Sequence, residues 1–441
     1  MAYEVLIGRQ EKDKEAFGKR GTVLIGKQYI KMGQVSSLSN KIYLDIARSH
    51  IVFVCGKRGG GKSYTLGVIC EGLSDMPEEV RDNLAILILD TMGIYWTMKF
   101  ANKKDEKLLI DWGIKGKGLD VVIFTPVGYY KSYKEKGIPT DHPFSVKPSE
   151  LDASDWSLTF ELEPSSPVTI LIESIINELK ESGDNYDIDE IIKAIETNDK
   201  FDQQTKNAGI NRFESAKAWG LFSNEGTPLG DIIRAGQVSI LDVSCYVTSP
   251  GTSGVKALSI GLIAHKLFVG RMIARKDEEY KEIHHTFHYF EEETKSAKLE
   301  KPMVWLVIDE AHEFLPKEGK TAASNALITI MREGRQPGIS LILATQQPGK
   351  IHTDVMTQSD VVISHRLTAK PDVEALGMLM QSYMREGLDK HLNNLPRVKG
   401  AAIVFDDVNE RIYPIRIRPR FTWHGGEAPM AVKSKEKTFE L

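Results

Sequence analysis

Ile51-Val52-Phe53-Val54-Cys55-Gly56-Lys57-Arg58-Gly59-Gly60-Gly61-Lys62-Ser63 is the stretch that decides the fold. Its first five residues are apolar and largely β-branched, a pattern that predicts a strand buried on both faces. The next eight fit G-x-x-x-x-G-K-[ST], and residues 62–73 are helix-like, so the motif lies in the strand-turn-helix context it requires. There the glycines let backbone N–H groups turn inward around phosphate oxygens, and the helix N-terminus adds its positive end. Gly56, Gly59, Gly60 and Gly61 are therefore assigned to the cradle, Lys62 to the β- and γ-phosphates, Ser63 to Mg2+, and Tyr64 to the same nucleotide-binding set. ATP and Mg2+ are the expected cofactors.

A cradle alone hydrolyses nothing, so the rest of the site is sought at other strand ends. Residues 303–308, Met-Val-Trp-Leu-Val-Ile, form a second buried run that ends in Asp309 and Glu310. Asp309 is expected to hold Mg2+ through water, and Glu310 to orient and deprotonate the attacking water. Phosphoryl transfer to water needs positioning and charge neutralisation more than covalent help. A third run, 339–344, leads to Gln346, which is expected to reach the γ-phosphate and report its presence. The plainer alternatives are two acids that merely end a strand and an amide that caps the following loop.

Further apolar runs at 85–89, 121–124, 238–241 and 361–364, with helix-like segments at 165–181, 255–276 and 321–333 between several of them, predict an α/β fold. The expected architecture is a RecA-like P-loop ATPase core over residues 48–400 with a mainly parallel sheet. A polar, helix-prone insertion at about 145–235 reads as a solvated lid or spacer. Residues 1–47 read as a small N-terminal β element, and 401–441 as a C-terminal strand arm.

Composition excludes several classes. With 441 residues, 41% of them hydrophobic and 27% charged, the chain has ample material for a core and no biased stretch. Cys55, Cys70 and Cys245 form no C-x-x-C pair, which argues against a disulfide framework or a cysteine zinc site and fits a reducing cytoplasm. The opening residues carry charges every few positions and lack the apolar centre of a secretory signal. Residues 255–273 are interrupted by His265, Lys266 and Arg271, short of the roughly 18 uninterrupted apolar residues of a membrane span, so no membrane partner is expected. A net charge of −4 is not the footprint of a DNA-coating protein; any DNA contact must be local, as inside a pore.

Taken together, GKRGGGKS at 56–63, LVIDEAHEFLP at 306–316, MREGRQPGISLILATQQPGKI at 331–351 and RPRFTWHGG at 418–426 resemble the HerA family of hexameric DNA translocases, related to the FtsK-like motors. The resemblance implies a homo-hexameric ring acting on double-stranded DNA, ATP hydrolysis at subunit interfaces, and partnership with a nuclease or other effector in DNA end processing or antiviral defence. It also implies that Arg335, in the family's E-G-R segment, enters the neighbouring subunit's site; the local alternative is a pairing with Glu333 or another acid of its own subunit. The chain departs from the family in two places. Fewer than fifty residues stand where a larger β-barrel domain is usual. Asp90-Thr91-Met92-Gly93-Ile94 keeps the acid at 90, as a supporting group, but lacks the one expected near Ile94. The DEAH string at 309–312 also occurs in DEAH-box RNA helicases, whose other motifs and second lobe are not evident.

Three constellations carry less. Lys131, Lys134 and Lys136 interleave with Tyr129, Tyr130 and Tyr133 just past a core strand, which suits a pore loop against DNA phosphates or, equally, a solvated loop. A second candidate loop spans 246–254. His284, His285 and His288 stand near metal-pair spacing, but the acidic run 291–293 makes a solvated helix the simpler reading. Arg416, Arg418 and Arg420 would share one face of a strand, most simply as charges guarding an exposed edge. The expected function is ATP-driven translocation on duplex DNA; the alternative is a nucleotide-gated ring scaffold that assembles a partner effector.

Overall fold

A computed structural model of the protein describes residues 3–32, 35–183, 185–247, 253–287, 299–378, 392 and 395–426. Its strands are β1 (Val5–Ile7), β2 (Thr22–Met32), β3 (Val35–Asp45), β4 (Ile51–Cys55), β5 (Leu84–Asp90), β6 (Val121–Pro126), β7 (His142–Phe144), β8 (Val238–Asp242), β9 (Met303–Ile308), β10 (Ile339–Thr345), β11 (Val361–His365), β12 (Ala401–Asp406) and β13 (Arg411–Ile417). Among the described residues these make one sheet in the order β1-β3-β2-β13-β12-β11-β4-β10-β9-β5-β8-β6-β7. From β11 through β7 every pairing is parallel. The seven apolar runs read from sequence are β4, β5, β6, β8, β9, β10 and β11.

Parallel strands need both faces covered, and alternation within each strand supplies two cores. Phe53, Leu87, Leu306 and Leu343 face one; Val52, Ile88, Val307 and Ile342 face the other. The principal helices are α1 (Lys62–Ser74), α2 (Val127–Glu135), α3 (Ala153–Thr159), α4 (Pro167–Glu181), α5 (Ile188–Thr197), α6 (Gln203–Lys217), α7 (Ser253–Phe287) and α8 (Ser324–Glu333). α1 lies on the second core with the N-terminal strands: a Cβ on its Gly72 would sit 2.0 Å from Cγ1 of Val23 in β2.

The insertion is helical as expected, but it is not merely solvated. Ile172 and Ile176 of α4, Ile191 and Ile195 of α5 and Phe213 of α6 are buried in the first core. Trp156 of α3 meets Phe213 edge to face at 5.0 Å. Within α7, Gly254–His284 is long and apolar enough by length and composition to cross a membrane, yet 61% of its most apolar 18-residue stretch is buried inside this molecule. It is a core helix here, as its interrupting charges predict.

The boundaries at 47/48 and 400/401 do not divide the sheet. β12 is buried along its whole length and pairs antiparallel with β11, while β13 bridges β12 to β2. Apolar residues on both faces of β12 require a place inside the sheet, not an arm. The three arginines are likewise not an edge guard. β13 ends at Ile417, and the chain then turns across α1, burying Arg418 and Arg420 against Glu71. Glu71 also accepts the Phe421 and Thr422 N–H groups at 3.1 and 2.9 Å. A fully buried carboxylate is tolerable only with such partners.

A second buried network holds the N-terminal strands to the core. The ring of His50 contacts Asp360 Oδ2 at 2.6 Å and Asp45 Oδ2 at 3.1 Å, and Asp45 also binds Arg9 Nε at 2.9 Å. Burial disfavours the imidazolium, but the hydrogen bonds and charges of Asp360 and Asp45 outweigh it and hold the His50 pKa at about 9. The folded-state value exceeds the ordinary 6.5, so this contribution is complete below pH 6.5 and is lost as pH rises through about 9. It amounts to about 3 kcal/mol. Urea unfolding between pH 6 and 10 is expected to show this decline in the parent chain, and a flatter profile in His50→Gln.

Candidate active site

Three neighbouring parallel strands set the level of the site. β10 lies between β4 and β9, with Thr345 opposite Cys55 and Leu343 opposite Ile308. The residues just beyond the three C-terminal ends, Gly56, Gln346 and Asp309, therefore emerge along one edge. Gly59 and Gly61 have φ of 71° and 109°, where a side chain is strained. A Cβ on Gly56 would stand 2.6 Å from that of His365. Lys62 opens α1, buried, with Nζ 3.4 Å from the Lys57 carbonyl. Burial lowers its pKa, and Glu310 and Asp309 act against that shift. Tyr64 turns its hydroxyl away from the loop to accept the Arg420 N–H at 2.7 Å, and its ring meets His424 edge to face.

Asp309 is tied into the cradle directly. Its Oδ2 accepts the Ser63 hydroxyl at 2.6 Å, and Oδ1 accepts the Glu310 N–H at 3.0 Å. Glu310 sits in the left-handed region at φ 51°, ψ 43°, a conformation that costs a non-glycine residue about 1–3 kcal/mol. That turn aims its carboxylate back over the strand ends. Oε1 accepts from Gln346 Nε2. Oε2 is buried without a hydrogen-bond partner, with His312 Nδ1 3.5 Å away. A buried carboxylate oxygen left without a partner at this edge is free to accept a proton or a hydrogen bond from a group entering the site.

The oxygen donors Ser63 and Asp309 suit a hard cation such as Mg2+, which when bound would neutralise developing charge on phosphate oxygens. Among the chain's own residues, Lys62 is buried at the start of α1, Glu310 presents Oε2 beside the strand ends, and Gln346 holds the Glu310 side chain.

Sequence reading missed Tyr95 and His365. Tyr95 is buried and donates its hydroxyl to Asp309 Oδ2 at 3.1 Å. Asp90 makes this possible. It caps its own turn by accepting the N–H groups of Met92, Gly93 and Tyr95 at 3.1, 2.7 and 2.8 Å. Burial and the neighbouring Asp242 carboxylate push Asp90 up to about 7. His365, at the end of β11, lies under the phosphate loop with Nε2 2.8 Å from Thr65 Oγ1 and Nδ1 3.2 Å from the Ala401 carbonyl. Burial drives its pKa down to about 4, so it is neutral and serves as packing and hydrogen-bond support. A polar residue ending a buried strand was its signal in the sequence.

Other predicted residues lie elsewhere. Arg335 is exposed at the N-terminal end of β10, opposite the end that carries Gln346. Among the described residues it has no ion-pair partner, and the local pairing with Glu333 is not formed. Arg271 Nε donates to the Pro337 carbonyl at 2.7 Å and so fixes the far end of its loop. Lys131, Lys134 and Lys136 are exposed, but the first two are on the helix α2 and the third caps it; there is no loop. Pro126 precedes its first turn, and Gly137 at φ 70° ends it. Lys134 Nζ stands 4.6 Å from the Tyr130 ring centre. His288, the run 291–293 and residues 248–252 lie outside the described residues, among which no group of His, Cys, Asp and Glu is placed to hold a metal ion.

A strained acid and a glycine-rich cradle at the C-terminal edge of a parallel sheet define a P-loop ATPase. Residues 30–249 match the family model described as Helicase HerA, central domain, and residues 271–384 match that of Zonular occludens toxin (Zot). The chain is 31% identical over 110 residues to the DNA double-strand break repair helicase HerA of Pyrococcus furiosus, covering 25% of this chain and 19% of that protein. It is 38% identical over 69 residues to the probable DNA double-strand break repair helicase HerA of Methanocaldococcus jannaschii, covering 16% of this chain and 14% of that one. The matched stretches thus span under a fifth of either relative's length. VirB4 of Thermoanaerobacter pseudethanolicus shares the fold, with a TM-score of 0.50 at 12% identity over 90% of this chain and 96% of that one. The chain is a P-loop ATPase whose residues 30–249 match the HerA central domain and whose fold is that of VirB4.

Two substitutions separate binding from chemistry. Lys62→Ala is expected to abolish binding of a fluorescent ATP analogue. Glu310→Gln should bind it as the parent does and release phosphate on the order of 100-fold more slowly or worse, the usual effect of losing a general base.

Proposed function

We propose that this chain is a Mg2+-dependent, ATP-hydrolysing motor that moves on double-stranded DNA as a hexameric ring in the cytoplasm, with a nuclease or other effector as partner. The observation that carries the reading is the position of Arg335. β10 has seven residues, so its two ends are about 23 Å apart. An exposed arginine at the far end, without an ion-pair partner among the described residues, cannot serve its own phosphate loop, but is free to serve a neighbour's. In a ring, each interface would then join one subunit's Lys62, Asp309 and Glu310 to the next subunit's guanidinium, which stabilises charge on the γ-phosphate. The names of the Pyrococcus and Methanocaldococcus relatives, a DNA double-strand break repair helicase and a probable one, support DNA as the track.

α2 is the favoured DNA element. It leaves the C-terminal end of β6, on the same side of the sheet as the phosphate loop, and offers Lys131, Lys134 and Lys136 without acidic partners among the described residues. Their charge is local, as a chain of net charge −4 requires.

Arg335→Ala should bind ATP and assemble like the parent while losing about 10³-fold in turnover. Mixing it with Glu310→Gln should restore part of the activity, because some interfaces regain both groups. Mixed rings without any recovery would count against an arginine acting between subunits. ATPase rates with and without duplex DNA across a salt series provide the second check. Stimulation should fade as salt rises, and removing the three lysines together should make that slope shallower. Turnover that ignores DNA and responds only to a partner would favour the scaffold instead.

A further inference from the structure

We infer that Tyr95 is a positioning residue of the metal site: its hydroxyl fixes the rotation of the Asp309 carboxylate, and so the orientation in which that carboxylate meets a divalent cation. The inference rests on the reading of Asp309 as the metal-holding acid.

Three observations carry it. First, Asp309 Oδ2 has two hydroxyl donors, Ser63 at 2.6 Å and Tyr95 at 3.1 Å. Ser63 is itself the expected cation ligand, so when its oxygen turns to an ion, Tyr95 is the hydroxyl still holding Oδ2. Second, the turn that presents Tyr95 is fastened at several points. Asp90 Oδ2 accepts the Tyr95 N–H at 2.8 Å. Thr97 Oγ1 contacts the carbonyls of Ile94 and Trp423 at 2.8 and 3.1 Å and accepts the Gly425 N–H at 3.1 Å. A phenol held this way is 1% exposed and has little freedom to follow a wandering carboxylate. It constrains the acid instead. Third, a buried phenolic hydroxyl needs a partner, and the one it has is the acid at the tip of β9.

Outer groups that orient a metal's ligands are commonly worth 10–100-fold in metal affinity. Tyr95→Phe keeps the buried ring and removes only the hydroxyl. Mn2+ binding to the full chain loaded with a non-hydrolysable ATP analogue, followed by electron paramagnetic resonance, is expected to weaken about 10-fold in this variant. Binding of the same analogue in EDTA, and the thermal unfolding midpoint, should stay close to the parent's. A cycle with Asp309→Asn supplies an independent reading: adding Tyr95→Phe to that variant should cause no further loss of Mn2+, because the hydroxyl acts through the carboxylate. Unchanged Mn2+ affinity in Tyr95→Phe overturns the inference, as does an equal loss of metal-free nucleotide binding, which marks a general packing role. A parent chain that binds the analogue but needs no divalent cation to do chemistry would sink the metal reading of Asp309 as well, and is recognised before any variant is made.

Discussion

The shared register of β4, β10 and β9 is the constraint on which the rest depends. Because side chains alternate with a period of two, a slip of one residue in any of these strands would turn Val52, Ile342 or Val307 into the wrong core and spoil the packing on both sides of the sheet. Burial on two faces therefore locks the three strand ends at one level. Loop, acid pair and amide then need only short extensions to meet, and Glu310 can be bent into a left-handed turn because the strand behind it does not yield.

What surrounds that edge is built to hold it still. Glu71 lies about two and a half turns along α1 from Lys62, and its buried carboxylate gathers Arg418, Arg420 and the backbone of Phe421 and Thr422. The same tail passes on to Thr97, beside the turn that carries Tyr95. One stretch of chain thus touches both the helix that opens the phosphate site and the turn that orients its acid.

Much of this was legible in the sequence, for an identifiable reason. Strands buried on both faces announce themselves as unbroken apolar runs, and the phosphate loop carries a fixed spacing, so β4, β5, β6 and β8 through β11 and the residues Lys62, Ser63, Asp309 and Glu310 could be placed. Contacts between distant segments leave no such trace. Nothing local in Tyr95 says that it faces Asp309 across 214 positions of chain. Arg418 and Arg420 alternate as an exposed strand would, and only the presence of Glu71 on another element makes them core. The lysines around 131 were read as a loop because helix propensity is weak in a nine-residue segment with two flanking breakers, Pro126 and Gly137. The insertion misled through its surface: its charges are dense, while the isoleucines of α5 that enter the core are spaced for a helix and hidden among them.

The pairing of β2 with β13 has a further consequence, for the order in which the molecule can be made. Gln28 is hydrogen-bonded alongside Ile415, so the first long hairpin of the chain finds its place in the sheet only when nearly the last strand exists. At the usual 5–20 residues per second of synthesis, that hairpin waits roughly 20 to 75 seconds with an open edge. During that interval Val23 and Ile42 lack the full cover of the second core. The hairpin is therefore most exposed to pairing with another copy of itself in the interval before β13 is made, and that risk closes when Ile415 takes its place beside Gln28.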